Sequence, residues 1–389
     1  MNYSFPPLCG LGNNAKLFSA IALLPFISLA ATRRKPLFVS CVLAFSFTVY
    51  FPSAQADEIP TTPAPAISHC AAATSLNSLS DIHENDLIIT TGFHVPGDGG
   101  GALYRIRKEN EGLKPNEADI ISLGNNLVAV LLENEAVNYR MFGAVGDGKN
   151  DDGVQIKLAH EYAVKHRLPV VNLSGEFWIR ATNNIPITTN VSWGNTTFHI
   201  DERFNSKTHP RFVVLNEEPA KDLTSDIELK VALLEQVKPG VQIIPELAGY
   251  AGHLVLLADS NDRIAARAGF SSKGRPREEF FYVEEEGRII GDIAWGFNDI
   301  TSIKAVPCND NYLIIQGGGF YFSGDTPASG EKGYHHHGFS IRRSRTVVRE
   351  QWMGLEKGKR DVSLEPRCGF YVLSEVYDVT LENIRCMPW

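Results

Sequence analysis

The sequence has no Cys-x-x-Cys pair. Its six cysteines, Cys9, Cys41, Cys70, Cys308, Cys368 and Cys386, stand far apart, which leaves a zinc site unsupported. Acids are missing from the first 56 residues, whose only charges are Lys16, Arg33, Arg34 and Lys35. No predominantly apolar run reaches the ~20 residues of a membrane-spanning helix. Nor is there an excess of positive charge: the formal balance is −8, and it becomes −12 once that basic leader is set aside. A surface of this sign repels phosphate, so a general nucleic-acid binder is excluded and a polyanion needs a local basic patch. With 43% hydrophobic and 21% charged residues, global disorder is excluded as well.

The clearest local pattern is an export signal. Arg33-Arg34-Lys35 precedes sixteen uncharged residues, 36–51, and Ala54-Gln55-Ala56 puts small residues at −3 and −1 of a cut before Asp57. A basic stretch, an apolar stretch and an A-x-A site describe a secretory signal peptide. The apolar residues 17–31 upstream leave two other readings, a membrane hairpin around the basic triplet or a start of synthesis near Leu29. The expectation is a mature chain from about Asp57, secreted or periplasmic, touching a membrane only through its signal segment. There Cys70, Cys308, Cys368 and Cys386 would form one or two disulfides or remain buried thiols.

Abundant turn formers, 33 Gly and 21 Pro, with 10% aromatics, favour a turn-rich β protein. Residues 57–80 are rich in Pro, Ala, Thr and Ser and read as a linker; residues 81–140 read as an N-terminal β lead-in. The run Pro96-Gly97-Asp98-Gly99-Gly100-Gly101 is followed by a β pattern. A phosphate-binding loop would lead into a helix, so a nucleotide site is rejected. Behind FGAVGDGKNDD (142–152), apolar residues recur at helical spacing from Val154 to Ala163, with Asp151 or Asp152 as N-cap and Lys165, His166 and Arg167 at the C-terminal end. Short strands with tight breaks then take over. Residues 206–300 fit that pattern less well. They suggest a short helix at 227–237, a hairpin turning at Ser260-Asn261-Asp262 and a second hairpin turning at 284–287, together an inserted β subdomain. Alternating coils return at 311–322 and 368–384.

FGAVGDGKNDD, the helix after it, and the strand–turn–strand PVVNLSGEFWI (169–179) resemble the opening segment of the pectate-lyase-like superfamily, and PGDGGGALYRI (96–106) is similar to the run that precedes it in tailspike-like members. The resemblance covers residues 82–200. It implies an all-β, right-handed parallel β-helix, a solenoid with an N-terminal capping helix, occupying 141–389 around the inserted subdomain. It gives Gly143, Asp147, Gly148, Asp151 and Asp152 a structural role in shaping the turn and capping the helix. It also implies a polysaccharide as partner, a homotrimer and, as an optional cofactor, calcium, for which no loop has an oxygen-ligand spacing. Trp389 arrives as a coil finishes, which reads as a truncated or split reading frame.

The candidate chemistry gathers between Asp325 and Arg360. Tyr334-His335-His336-His337-Gly338 is followed by Arg342, Arg343, Arg345, Arg349, Lys357, Lys359 and Arg360, against Glu350 and Glu356 alone. Arginine and lysine hold the carboxylates of an acidic glycan, and histidine is a base near neutral pH. That assigns His335, His336, His337, Arg342 and Asp325 to catalysis, and Arg343, Arg345, Lys357 and Lys359 to substrate. Three adjacent histidines in a strand point to alternate faces, so no metal site is expected. The expected activity is β-elimination on an acidic polysaccharide. Hydrolysis by a carboxylate pair drawn from Asp292, Asp299, Asp325 and Glu331 is the alternative enzyme, and a non-catalytic, tailspike-like glycan binder the alternative protein. Sequencing the N-terminus of the exported protein is expected to return Asp57 as its first residue; a chain retaining residues 1–56 would overturn the signal reading.

Overall fold

Short strands with period-two burial, joined at left-handed corners, build the body of the molecule. The computed structural model describes residues 65–133, 135–266, 274–356 and 367–387. The export signal, the start of the expected linker, Lys357, Lys359 and Arg360 lie outside the described residues.

The described residues open with β1 (Ile67–Cys70), β2 (Leu87–Thr90), β3 (Leu103–Lys108), β4 (Ile120–Gly124) and β5 (Leu127–Leu131), one sheet in the order β1-β2-β3-β5-β4. Part of the expected linker therefore belongs to the fold. β1 pairs with β2, and Ala73 and Leu76 are fully buried, because one leucine among small residues suffices to anchor the segment. In the Pro96–Gly101 turn the Asp98 carboxylate accepts the backbone N–H groups of Phe93, His94, Val95 and Gly100. Burial pushes its pKa up, but these donors win and hold it below the usual carboxylate range. The ring of N–H groups that could cradle a phosphate is occupied by the chain's own anion.

Next come β6 (Asp147–Asp151), α1 (Gly153–His166), β7 (Val170–Val171), β8 (Glu176–Ile179), β9 (Ile185–Ile187), β10 (Val191–Ile200) and β11 (Phe212–Val214). The motif aspartates accept main-chain N–H groups. Asp147 accepts from the N–H groups of Lys149 and Asn150, and Asp151 from those of Gly153 and Arg180. Asp152 stands at the N-cap position, but its carboxylate turns back to Val145 and Gly146, closing the GAVG loop. The helix buries Ile156, Ala159, His160, Tyr162 and Ala163 over the first coil and stops at Arg167, whose φ is +56°.

An insertion follows: β12 (Lys221–Asp222), α2 (Ile227–Gln236), β13 (His253–Ile264), β14 (Arg275–Val283), β15 (Ile289–Ile290) and β16 (Ser302–Pro307). It is an antiparallel sheet in the order β12-β16-β13-β14-β15 around its own core of Leu233, Leu247, Val255, Phe281 and Ile303. Its limits differ from 206–300, since β11 belongs to a coil and β16 to the insertion. The expected turn at Ser260–Asp262 is a bulge inside β13, between Asp259 and Arg263. The second hairpin forms as expected, β14 pairing with β15 across residues 284–287.

The coils resume with β17 (Leu313–Phe322), β18 (Phe339–Ile341), β19 (Thr346–Arg349), β20 (Trp352–Leu355), β21 (Tyr371–Leu373), β22 (Val379–Glu382) and β23 (Arg385–Met387). Three parallel ladders result. The first stacks β7, the start of β10, the start of β17, β19 and β22. The second stacks β6, β8, the end of β10, the end of β17, β20 and β23. The third stacks β9, β11, β18 and β21. Each partner lies one turn of chain away in the same direction, which makes the body a parallel β-helix.

Equivalent inward positions repeat along the axis. Phe177, Phe198, Phe320 and Met353 form one column; Ile185, Phe212, Phe339 and Tyr371 form another. Rings stack within them, Phe198 on Phe320 at 5.2 Å and Phe212 on Phe339 at 4.8 Å between centroids. Trp193 lies between the columns, 5.1–6.1 Å from Phe198, Phe212, Phe320 and Phe339. Its indole N–H donates to the Tyr139 hydroxyl (2.5 Å), which in turn bonds His160 Nε2 of α1 (3.0 Å). The corner between the first two ladders is made by Gly194 and Gly317, at φ +49° and +76°, where a Cβ on Gly317 would fall 2.6 Å from the Gly194 nitrogen. Trp193→Ala leaves a hole at the meeting point of both columns; an equilibrium denaturant curve is expected to show a loss of ~3–5 kcal/mol.

Candidate functional site

The second ladder turns its outward side chains to solvent. Trp178, His199 and Tyr321 occupy one register position in successive coils. Beside them run Glu176, Thr197, Gly319 and Trp352. Gly319 leaves room for the Trp352 indole, since a Cβ there would sit 2.0 Å from the ring, and Trp352 packs edge-on against Tyr321 at 4.7 Å. The strands thus present a strip of aromatic rings, which bind by their apolar faces and keep polar edges in water.

Where this ladder turns towards the third, the loops of several coils bring in charge. A cleft of about 400 Å3 is lined by Lys149, Trp178, His199, Asp201, Arg203, Asp325 and Glu356. His199 Nε2 lies 2.7 Å from Glu176 Oε1 and its Nδ1 3.1 Å from Glu356 Oε1, while Tyr321 stacks on the imidazole at 5.4 Å. Burial pulls the imidazole pKa down, but the hydrogen bonds and charges of Glu356 and Glu176 outweigh it and raise it above 6.5. Asp201 is buried and holds Arg203 through two nitrogens, Nε at 2.9 Å and Nη2 at 2.6 Å. Asp325 approaches the same guanidinium only to 4.0 Å. Glu356 and Asp325 are therefore the carboxylates with room for a ligand. A wider cleft, about 660 Å3, opens between the insertion and the coils; there Lys304 and Glu375 pair with each other at 3.3 Å, and the aromatic strip lies elsewhere.

The residues singled out in the sequence have separate fates. Asp325 is in the cleft. His335 is fully buried, and neither ring nitrogen has a hydrogen-bond partner among the described residues. His336 is half-buried, its main-chain N–H bonded to the Ser206 carbonyl, and burial, then Arg342 and His337, lower its pKa. His337 is buried against Phe322, ring centroids 4.7 Å apart, with Nδ1 3.3 Å from Glu202 Oε1. Neighbours in an extended segment face opposite ways, so these three histidines make no joint site. The basic stretch is likewise dispersed. Arg342 is exposed and bonds Ser340. Arg343, expected to hold substrate, is buried and donates to the carbonyls of Ser344, Arg345 and Asn311. Arg345 donates to the Asn309 carbonyl and the Tyr282 hydroxyl; Tyr282 stacks on Tyr377 at 4.6 Å, so this arginine fastens the insertion to the coils. Of the alternative acids, Asp299 is paired with Lys230 at 2.8 Å, and Asp292 lines a separate hollow of the insertion. Cys70, Cys308, Cys368 and Cys386 are all unpaired thiols. Among the described residues no three His, Cys, Asp or Glu side chains are grouped to hold a metal ion. No described helix is long and apolar enough to cross a membrane.

Behind the cleft sits a residue that sequence reasoning missed. Glu202, adjacent to Asp201, is fully buried. It takes Arg367 at 2.6 and 3.1 Å, His337 at 3.3 Å and the Gly324 N–H at 2.9 Å. One carboxylate so ties together three loops that carry cleft residues. Burial raises its pKa, but His337 and Arg367 prevail and hold it below 4.5. Its stabilisation is therefore complete above its unfolded pKa and is lost as pH falls through the lower folded value. Glu202→Gln is expected to cost ~3–5 kcal/mol at neutral pH and to flatten the decline in stability below about pH 4.5, both read from denaturant midpoints measured across pH.

No family model and no curated protein matches the chain. Among solved structures it is similar to the enzymatically active domain of tailspike protein 2 from bacteriophage CBA120, at 12% identity and TM-score 0.26, over 82% of this chain and 45% of that one. It is also similar to tailspike gp49 of Acinetobacter baumannii bacteriophage Fri1, described as a capsular polysaccharide depolymerase, at 9% identity and TM-score 0.28, over 82% and 53%. A third likeness is to Pantoea stewartii WceF, described as a glycan biofilm modifying enzyme with a tailspike-like parallel β-helix fold, at 11% identity and TM-score 0.28, over 84% and 48%. The chain spans about half the length of each of these proteins. Likenesses this distant leave the function to the chemistry of the cleft itself.

Proposed function

We propose that the chain acts on a polysaccharide and cleaves it by hydrolysis on the outer face of the second ladder. The observation that carries this reading is the meeting of Trp178, one ring of the aromatic strip, with two carboxylates, Glu356 and Asp325, in one cleft. Trp178 supplies a flat apolar face for a sugar ring, and the surrounding acids accept hydroxyl hydrogen bonds. Glycoside hydrolysis needs one carboxyl group to protonate the leaving oxygen and a second to activate water or attack the anomeric carbon. Glu356, in hydrogen-bond contact with His199, is assigned to the base, and Asp325, which lines the same cleft, to the acid.

Elimination asks for different chemistry: a cation on the uronate carboxylate and a neutral base beside the adjacent proton. The imidazole of this cleft has both nitrogens on carboxylates, which favours its cationic form, and that supports hydrolysis over elimination. The signal pattern of residues 1–56 supports action outside the cytoplasm.

Incubation with a panel of neutral and uronic-acid-rich polysaccharides is expected to yield new reducing ends without the ultraviolet absorbance of unsaturated uronate. Glu356→Gln and Asp325→Asn are each expected to lower turnover ~10²–10⁴-fold, with glycan affinity largely kept. Absorbance rising together with reducing ends would replace hydrolysis by elimination. Binding without either signal would leave a glycan-binding protein.

A further inference from the structure

We infer that Glu176 and His199 form a positioning relay that orients Glu356 towards the cleft; this rests on the hydrolytic reading of that site. The relay crosses the coils. Glu176 comes from β8, His199 from the neighbouring β10, and Glu356 from the end of β20. Residues 23 and 157 positions from His199 thus reach its two nitrogens. A neutral imidazole has one N–H and one lone pair, so with a carboxylate oxygen at each end one contact would set lone pair against anion. Double protonation satisfies both. The resulting cation bonds Glu356 through Oε1 and leaves Oε2 for a ligand.

Each member is fixed independently. The main-chain N–H of Glu356 donates to the Phe322 carbonyl at 2.9 Å, which roots the side chain. Tyr321 covers the imidazole face. Gly148 of the FGAVGDG run backs Glu176 so closely that a Cβ there would meet its carboxyl carbon at 2.8 Å. The opening motif thus has a second use, as the wall that turns Glu176 towards His199. The other ionisable groups around the cleft are Lys149, Asp201, Arg203, Asp325 and Tyr321. Asp201 and Arg203 are engaged with each other, and Asp325 stands beside the same arginine. The carboxylates in direct contact with the imidazole are therefore the decisive ones. Burial opposes them, and the net shift is upward.

The sign follows. A pKa raised above the unfolded value extends the charged range of His199 upward, and Glu356 loses its cation as pH rises through the folded value. Activity is then expected to fall on the alkaline side at the titration of His199. Glu176→Gln keeps an acceptor for Nε2–H but removes the charge, which is expected to lower that titration by about one pH unit or more.

Heteronuclear NMR of the imidazole across pH, in the wild-type chain and in Glu176→Gln, reads this without substrate. The relay predicts a wild-type midpoint above 6.5 and a lower one in the variant, with the alkaline limb of kcat/KM moving by the same interval and Glu176→Asp returning it part of the way. A wild-type midpoint at or below 6.5 overturns the relay even if the variant does not fold. An unchanged midpoint in a folded Glu176→Gln overturns it too, because a purely structural glutamate would alter Tm and leave the titration in place. If the midpoint shifts as predicted while no polysaccharide is cleaved, the electrostatic relay stands and the hydrolytic reading is what fails.

Discussion

Parallel register is the constraint on which everything else in this molecule depends. Strands of successive coils pair in the same direction at about 4.8 Å, so a given position in one coil lies directly above its counterpart in the next. Inside, this stacks Phe177, Phe198 and Phe320 into a continuous column and makes burial cumulative, because each ring covers its neighbours. Outside, the same rule sets Trp178 under His199 and His199 under Tyr321. One geometric repeat therefore makes both the core and the binding face, and a slip of one residue would exchange them.

The corner between the second and third ladders has no such repeat, and buried charge replaces it. Arg211 is fully buried and donates to the carbonyls of Arg180, Thr182 and Asp201 and to Asn205; desolvation pulls its pKa down to about 10. Glu202 does the complementary work with Arg367 and His337. Taking such groups out of water costs several kcal/mol each, and the penalty is met only because nearly every hydrogen-bonding direction is filled. These ties lie one residue from Asp201 and beside Asp325, so the rigidity of the corner and the shape of the cleft share one cause.

The insertion carries its own hydrophobic core and meets the coils where Tyr282 stacks on Tyr377, Arg345 lies over Tyr282 and Lys304 pairs with Glu375. Arginines that read as a polyanion patch turn out to be struts of this kind. Arg343 donates to three main-chain carbonyls and Arg345 to one and to the Tyr282 hydroxyl; a solenoid corner leaves such carbonyls unpaired, and an exposed surface would have given them to water.

By itself the sequence determined what is local. Turn glycines, an aspartate-rich helix start and alternating apolar strands are short-range signals. They gave the helix now seen at Gly153–His166 and the alternating coils; the β-helix and a structural role for Asp147, Asp151 and Asp152 came from the family resemblance that these signals carry, and Asp325 from the local run of chemical groups. The tertiary structure alone decided the rest of the site. His199 and Glu356 stand 157 positions apart, with the whole insertion between them, and no spacing rule links them until the coils stack. It also decided which charges face water. A run of arginines and histidines has the same composition whether it coats a surface or braces an interior, and only the closing of the coils shows which carbonyls need those donors.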